Sequence, residues 1–470
     1  MTQPKWKGKR VVVVGAARQG LALARYLARH GAQVMLNDRR SADEMQQQMA
    51  DLAPFGIEWV LGGHPLDVLD NAPETVCVSG GVPLDNPIVA AAASRGIRLS
   101  NDTQIFMEAV PCKTIGITGS AGKTTTTTLV GRIAQSSTQG AYGRVWVGGN
   151  IGDPLINYVD EMQPSDLAVL EISSFQSELM TISPNVAAIL NITPNHLDRH
   201  GTMESYTAAK AQVILHQSAG DAAILGRDDA GAWGLALNGS VRGRLFSFGF
   251  SPLDDGQDGI YVDGEKFFLR EGSETLRLPV DDVIELRGQH NTANVMAACA
   301  ITHAAGLSFE AMRAGIQGFR GVPHRLEFVR TWRGAQWYND SIATAPERTM
   351  AAIHSFAGPL ILLLGGRDKD LPWDELSKLV RRRVDHVVIF GEAADKINTA
   401  LGQRILGSRP FSVTRVNTCQ EAVLAASRLA QPGFVVLFSP GGTSYDEFKD
   451  FEERGERFRQ WVLEFTETLR

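Results

Sequence analysis

The sequence predicts an α/β protein of three domains, each built on a mostly parallel sheet covered by helices. Three observations carry this: short β-branched runs recur, each is closed by a glycine-bearing turn, and each turn leads into a helical pattern. At 470 residues the chain also exceeds what one hydrophobic core serves.

In the first hundred residues the strands read RVVVVG (10–15), AQVMLND (32–38) and TVCVSGG (75–81), with LALARYLARHG as the crossover helix between the first two. That is a Rossmann-like mononucleotide-binding half-fold. A second set comprises KTIGITG (113–119), DLAVLEI (166–172) and NVAAILNIT (185–193), forming a P-loop ATPase-type sheet. Residues 230–285, rich in glycine and aspartate with short alternating strands, are expected as an antiparallel appendage of that middle domain. A third set, WYNDS (337–341), PLILLLGG (359–366), DHVVIFG (385–391) and GFVVLFSPGG (433–442), makes a second Rossmann-like domain. The expected domains are 1–101, 102–321 and 322–470.

Composition excludes several function classes. With 46 basic against 52 acidic side chains the net charge is -6, which argues against a nucleic-acid binder that relies on a bulk positive field. The four cysteines, Cys77, Cys112, Cys299 and Cys419, have no metal-ligand spacing and do not read as a disulfide framework, so a reducing cytoplasm is expected. The basic start followed by four valines reads as a lead-in to the first strand, not a leader, and no window approaches the roughly 18 apolar residues of a membrane span.

The most informative stretch is GITGSAGKTTTTTLV (116–130). A phosphate cradle needs converging backbone N–H groups, glycines that let the anion approach, a helix N-terminus and a lysine for the outer phosphates. Gly119, Ser120, Ala121, Gly122, Lys123, Thr124 and Thr125 supply these directly after a strand, and the Thr124 hydroxyl stands where a Mg²⁺ ligand is required. The strict G-x-x-x-x-G-K-S/T spacing is not met, because Ile117 stands five before Gly122, so an ordinary strand-turn-helix stays open on this pattern alone.

The loop resembles the T-G-S/T-x-G-K-S/T-T variant of the Mur ligase family. Further blocks follow in that family's order: GGNIG (148–152), LEISSFQ (170–176), NITPNHLDRHG (191–201), YTAAKAQV (206–213), GQHNTANVMAA (288–298), GVPHRLE (321–327), NDSIAT (339–344), GGRDKD (365–370) and SPGGTSYDEFKDFEERG (439–455). With the nucleotide-type half-fold in front, the resemblance is to the branch that adds glutamate to UDP-N-acetylmuramoyl-L-alanine. It implies a cytoplasmic, monomeric, ATP-dependent ligase that activates a carboxylate as an acyl phosphate before an amine attacks it. D-glutamate is the favoured acceptor and L-glutamate the alternative.

The resemblance also implies roles. Lys123 would meet the transferring phosphoryl group; Thr124 and Glu171 would hold one Mg²⁺ and His196 a second. Lys210, which its helix alone would mark as a solvated lysine, matches a lysine that is carbamylated in the family; a neutral amine must react with CO₂, so its pKa should be depressed. Asn150, Asn291, Asn294, Arg325 and Asp340 match ATP-binding positions, spread over two domains, which implies that the cleft between them closes; Asn291 equally suits a helix N-cap.

In the N-terminal domain Gly15, Ala17, Arg18, Asp38, Ser79 and Gly80 would hold the UDP portion. There Ala17 replaces the middle glycine of G-x-G-x-x-G, and Arg18 either meets the diphosphate or is a surface arginine. Thr344, Lys369, Ser444 and Phe451 would hold glutamate, Phe451 being equally suited to a core. The chain departs from the family at Ala121, at Ile342 in place of lysine, at Pro346 and Glu347, and at Gly441, Gly442 and Thr443 in place of Ala-Cys-Ala. Two readings compete: a folylpolyglutamate-synthase-like ligase, which would lack the first half-fold, and an NAD oxidoreductase, which the incomplete glycine fingerprint and the ligase blocks disfavour.

Overall fold

The structure, a computed structural model, describes residues 5–137, 140–286, 288–368, 371–403, 405 and 407–468. The chain divides into two compact units, residues 1–319 and 320–470.

The first unit contains two sheets. Strands β1 (Arg10–Val14), β2 (Gln33–Asp38), β3 (Glu58–Leu61), β4 (Thr75–Val78) and β5 (Arg98–Ser100) lie in the order β3-β2-β1-β4-β5, all parallel. Because the order reverses at β1, the turns after β1 and β4 lie side by side at a topological switch point, where open α/β sheets bind ligands. The valine run of β1 is buried on both faces, Val11 and Val13 in one cluster and Val12 and Val14 in another, as expected of a central parallel strand.

The second sheet has nine strands: β6 (Lys113–Thr118), β7 (Val145–Gly149), β8 (Leu167–Glu171), β9 (Val186–Ile189), β10 (Ala222–Gly226), β11 (Arg244–Gly249), β12 (Gly259–Asp263), β13 (Lys266–Glu271) and β14 (Glu274–Leu278). Their order is β14-β13-β12-β11-β10-β9-β6-β8-β7. The antiparallel character expected of residues 230–285 is confined to β12, β13 and β14; β11 and β12 continue the parallel ladder from β10, so these strands extend the main sheet.

The helix Lys123–Gln135 forms although its five threonines are poor helix formers, being stiff at χ1. Tertiary burial overrides propensity here: Thr126, Thr127, Leu129, Val130 and Ile133 are buried, several of them against the apolar helix Gln289–Ala304.

The second unit carries β15 (Glu327–Trp332), β16 (Ala335–Asn339), β17 (Leu360–Gly365), β18 (His386–Phe390), β19 (Ser412–Arg415) and β20 (Val435–Gly441), in the order β15-β16-β20-β17-β18-β19. Only β15 and β16 pair antiparallel. Along β17, Leu360, Leu362 and Leu364 enter one core and Ile361 and Leu363 the other. Among the described residues no helix is long and apolar enough to cross a membrane.

Candidate active site

β6 delivers the chain into loop 119–122 and the helix that begins at Lys123. Gly122 adopts a left-handed φ of +82°, and a Cβ there would lie 2.3 Å from Asn294 Oδ1, so glycine alone fits. The loop is clamped from the β9 side. Ala121 N–H donates to Asn191 Oδ1 at 2.8 Å, and Asn191 Nδ2 returns to the Ala121 carbonyl at 3.1 Å. Ser120 donates its hydroxyl to the Thr193 carbonyl at 2.9 Å. Lys123 folds back on the loop, donating to the Gly119 carbonyl at 2.8 Å, while Thr125, two residues on, is half-buried.

Beneath this loop lies Glu171, 2% exposed at the end of β8. One oxygen accepts the Thr124 hydroxyl at 2.8 Å and the other the Asn150 amide at 2.7 Å. The backbone repeats the contact, Asn150 N–H donating to the Glu171 carbonyl at 2.8 Å. Gly149 makes this approach possible: φ is +100°, and a Cβ would stand 2.5 Å from that carbonyl. Among the described residues no three His, Cys, Asp or Glu side chains are grouped to hold a metal by themselves. Mg²⁺ at a phosphate loop needs only one or two protein ligands, the rest being phosphate oxygens and water. A hydroxyl and a buried carboxylate under a glycine loop fit that requirement.

Lys210 enters the same loop from the helix Met203–Leu215. It is 1% exposed, donates to the Gly119 carbonyl at 3.0 Å and lies 4.7 Å from the centre of the Tyr206 ring. Burial first, and then repulsion from Lys123, bring its ammonium pKa down to about 6 against a smaller opposing pull from Glu171. Tyr206 shares a 3.0 Å hydrogen bond with Ser120. His196 caps the short helix Leu197–His200 in the left-handed region at φ 52°, its ring 5.2 Å from that of Phe175. The helix Gln289–Ala304 brings Asn294 to Thr126 at 3.4 Å and to Asn291 at 3.3 Å.

In the first sheet Gly15, at φ +97°, has no room for a Cβ against Val82 and Ser79, and one at Gly20 would sit 1.9 Å from the Gly15 carbonyl. Ala17 is the exposed N-cap of the helix Arg18–Arg29. Asp38 accepts the Ala16 N–H at 2.7 Å and three bonds from Arg40. Burial would raise its carboxyl pKa, but the hydrogen bonds from Arg40 and Ala16 outweigh burial and hold it far below the usual range. Arg18 donates to the Asn150 carbonyl at 3.1 Å and thus reaches the Glu171 bridge. Ser79 is buried, its N–H on the Val14 carbonyl, and the Gly80 carbonyl accepts from Arg199 at 3.4 Å.

The remaining expected residues belong to the unit of residues 320–470. Asp340 is buried, accepting the Ser439 hydroxyl at 2.7 Å and Leu326 N–H at 3.1 Å; burial, larger than these opposing bonds, raises its pKa to about 6. Arg325 lies close enough to lower that value electrostatically. Ser444 is buried and Thr344 half-buried. Phe451 opens the last helix, its carbonyl accepting the Ser341 hydroxyl at 2.8 Å. Lys369 lies outside the described residues. Gly441, Gly442 and Thr443 pack on the end of β17: Arg367 and Thr443 exchange two backbone bonds of 2.8 Å, and a Cβ on Gly442 would meet the Gly365 carbonyl at 2.5 Å.

Three family models match the chain. The MurD-like N-terminal domain of Mur ligases matches residues 9–101, the Mur ligase middle domain 117–302, and the Mur ligase glutamate ligase domain 324–442. The UDP-N-acetylmuramoylalanine--D-glutamate ligase of Symbiobacterium thermophilum is 38% identical, over 97% of this chain and 98% of that one. The chain belongs to the Mur ligase family. A relative of the same name from Acidobacterium capsulatum is 40% identical, over 97% of this chain and 96% of its own. MurF from Acinetobacter baumannii, 19% identical, superposes with a TM-score of 0.53 over 95% of this chain and 93% of that one, a likeness of fold.

Sequence reasoning about this Mur ligase missed Asn191 and Tyr206, which hold the loop, and Phe175 and Arg199, which lie beside His196 and the turn after β4. All four lie inside quoted blocks of the resemblance. Arg199 carried a usable signal, standing three residues after His196 and therefore on the same helical turn.

Proposed function

We propose that this Mur ligase adds D-glutamate to UDP-N-acetylmuramoyl-L-alanine at the expense of ATP, a cytoplasmic step of peptidoglycan synthesis. The substrate carboxylate oxygen attacks the γ-phosphorus and ADP leaves. The glutamate amine then attacks the acyl carbon, the C–O bond to phosphate breaks, and the amine loses a proton. The single observation that carries the reading is the Thr124–Glu171–Asn150 bridge under a glycine loop that also receives Lys123 and Lys210.

Mg²⁺, when bound, supplies charge neutralisation on the phosphates. Thr124 and Glu171 would hold it, with His196 the candidate for a second ion. Lys123 swings from the Gly119 carbonyl to the outer phosphate. Lys210, held neutral by burial, is suited to carbamylation, which would turn it into an anion beside the loop. Asn150, Asn291, Asn294, Arg325 and Asp340 are assigned to ATP.

We assign residues 1–101 to the UDP-linked substrate, through Gly15, Ala17, Arg18, Asp38, Ser79 and Gly80; residues 102–321 to ATP; and residues 322–470 to glutamate, through Thr344, Lys369, Ser444 and Phe451. The enzyme is taken as a monomer.

Oxygen-labelled substrate tests the chemistry. With ¹⁸O in both carboxylate oxygens of UDP-N-acetylmuramoyl-L-alanine, one label must appear in inorganic phosphate for each peptide bond formed. Product formation without label in phosphate contradicts the acyl-phosphate route.

A further inference from the structure

Arg199 joins the turn after β4 to the helical turn carrying His196. Its guanidinium donates to the Gly80 carbonyl at 3.4 Å and also to the Val82 carbonyl. On the way it crosses the Phe175 ring, 4.4 Å from its centre, the same ring that lies against His196. Residues 79–82 in turn leave no room beside Gly15, where Val82 and Ser79 would stand 2.7 and 2.9 Å from a Cβ. The turn after β1 is therefore packed directly against a segment that Arg199 grips.

We infer that Arg199 is a positioning residue that couples occupancy of the N-terminal substrate turns to the geometry of His196. The inference rests on the proposed reading of Gly15, Ala17, Arg18, Ser79 and Gly80 as part of the UDP-substrate site and of His196 as a metal side chain. His196 needs such a restraint. A non-glycine residue at φ 52° is held in a sparsely populated region, which persists only where surrounding contacts over-determine it. Arg199 lies on the helical turn that His196 caps, so anchoring Arg199 to the carbonyls of residues 80 and 82 fixes that turn. The coupling must be reciprocal: if substrate orders His196 for metal, metal and nucleotide must tighten substrate.

The test is calorimetric titration of UDP-N-acetylmuramoyl-L-alanine into the full chain, alone and with Mg²⁺ plus a non-hydrolysable ATP analogue. Wild type should bind the UDP compound about tenfold tighter with Mg²⁺-nucleotide, within the usual range of coupling. Arg199→Ala should bring the ratio near one and raise the Mg²⁺ concentration for half-maximal turnover by a similar factor. Arg199→Lys, which keeps the charge but reaches fewer carbonyls, should restore part of the ratio and guards against misfolding of the alanine variant. A ratio of one in wild type, or an unchanged ratio in Arg199→Ala, overturns the inference alone. No binding of the UDP compound by wild type overturns the N-terminal substrate reading and the inference with it.

Discussion

Glu171 and Thr124 meet at 2.8 Å across 47 residues of sequence, and the second oxygen of the same carboxylate holds Asn150 at 2.7 Å. Both partners donate, so the site requires an acceptor on each side. Glu171→Gln offers only one acceptor and turns an amide against the other donor. Turnover should fall by at least about 10²-fold, the size of a lost electrostatic contact to transferring charge, with the thermal midpoint only a few degrees lower. Steady-state phosphate release checks this; activity within twofold of wild type contradicts it.

Lys210 makes a pH prediction whose sign follows from burial. The folded chain gives up this proton near pH 6, whereas the unfolded chain keeps it to about 10.5. The unfolded state thus binds more protons across that window. Stability should rise with pH from about 6 to 10.5, by up to roughly 1.4 kcal/mol per unit. In bicarbonate-free buffer, Lys210→Met should flatten that slope and raise the melting temperature at pH 7 while abolishing turnover. Chemical denaturation across the pH range reads it; an unchanged slope contradicts it.

Asp102 has the opposite sign. Burial raises its carboxyl pKa to about 6 against the Gln176 hydrogen bond, and Oδ1 finds no partner among the described residues. Between about 3.8 and 6 the folded state holds the extra proton, so stability should fall as pH rises through that interval and stay lower above it. Asp102→Asn should remove this dependence and stabilise the chain at pH 7 by about 1–3 kcal/mol. Paired denaturation curves at pH 4 and pH 7 measure it; an equal pH dependence in both proteins contradicts it.

How much of this was legible in the sequence depends on distance along the chain. The glycine loop could be read because strand, turn, lysine and helix start within a dozen residues. Asn150 on Glu171 could not, since it depends on the register that sets Gly149 beside Glu171 across β7 and β8. Short strands separated by glycine and aspartate announce a sheet but not its pairing direction, which is why an antiparallel appendage is expected there although β11 pairs parallel with both β10 and β12. For Arg199 the sequence offers only its spacing from His196; its partners at residues 80 and 82 lie 117 positions or more away.

In the unit of residues 320–470, Arg454 is fully buried and donates to the Ser341 hydroxyl at 3.0 Å, the Ser341 carbonyl at 2.8 Å and the Gly442 carbonyl at 3.0 Å. It ties together the two loops assigned to glutamate. Burial lowers its pKa to about 10, which leaves it charged at neutral pH. Arg454→Met should cost this unit roughly 2–4 kcal/mol by orphaning three acceptors. The KM for glutamate should rise about tenfold, more than the KM for UDP-N-acetylmuramoyl-L-alanine; equal changes in both contradict the assignment.

Phosphate release from ATP, followed with UDP-N-acetylmuramoyl-L-alanine present and either D-glutamate or L-glutamate added, tests the central claim most directly. The account predicts release with D-glutamate, stoichiometric with peptide product, and none above background with L-glutamate or when the UDP compound is omitted. Release that needs no UDP compound, or that answers to L-glutamate alone, contradicts it.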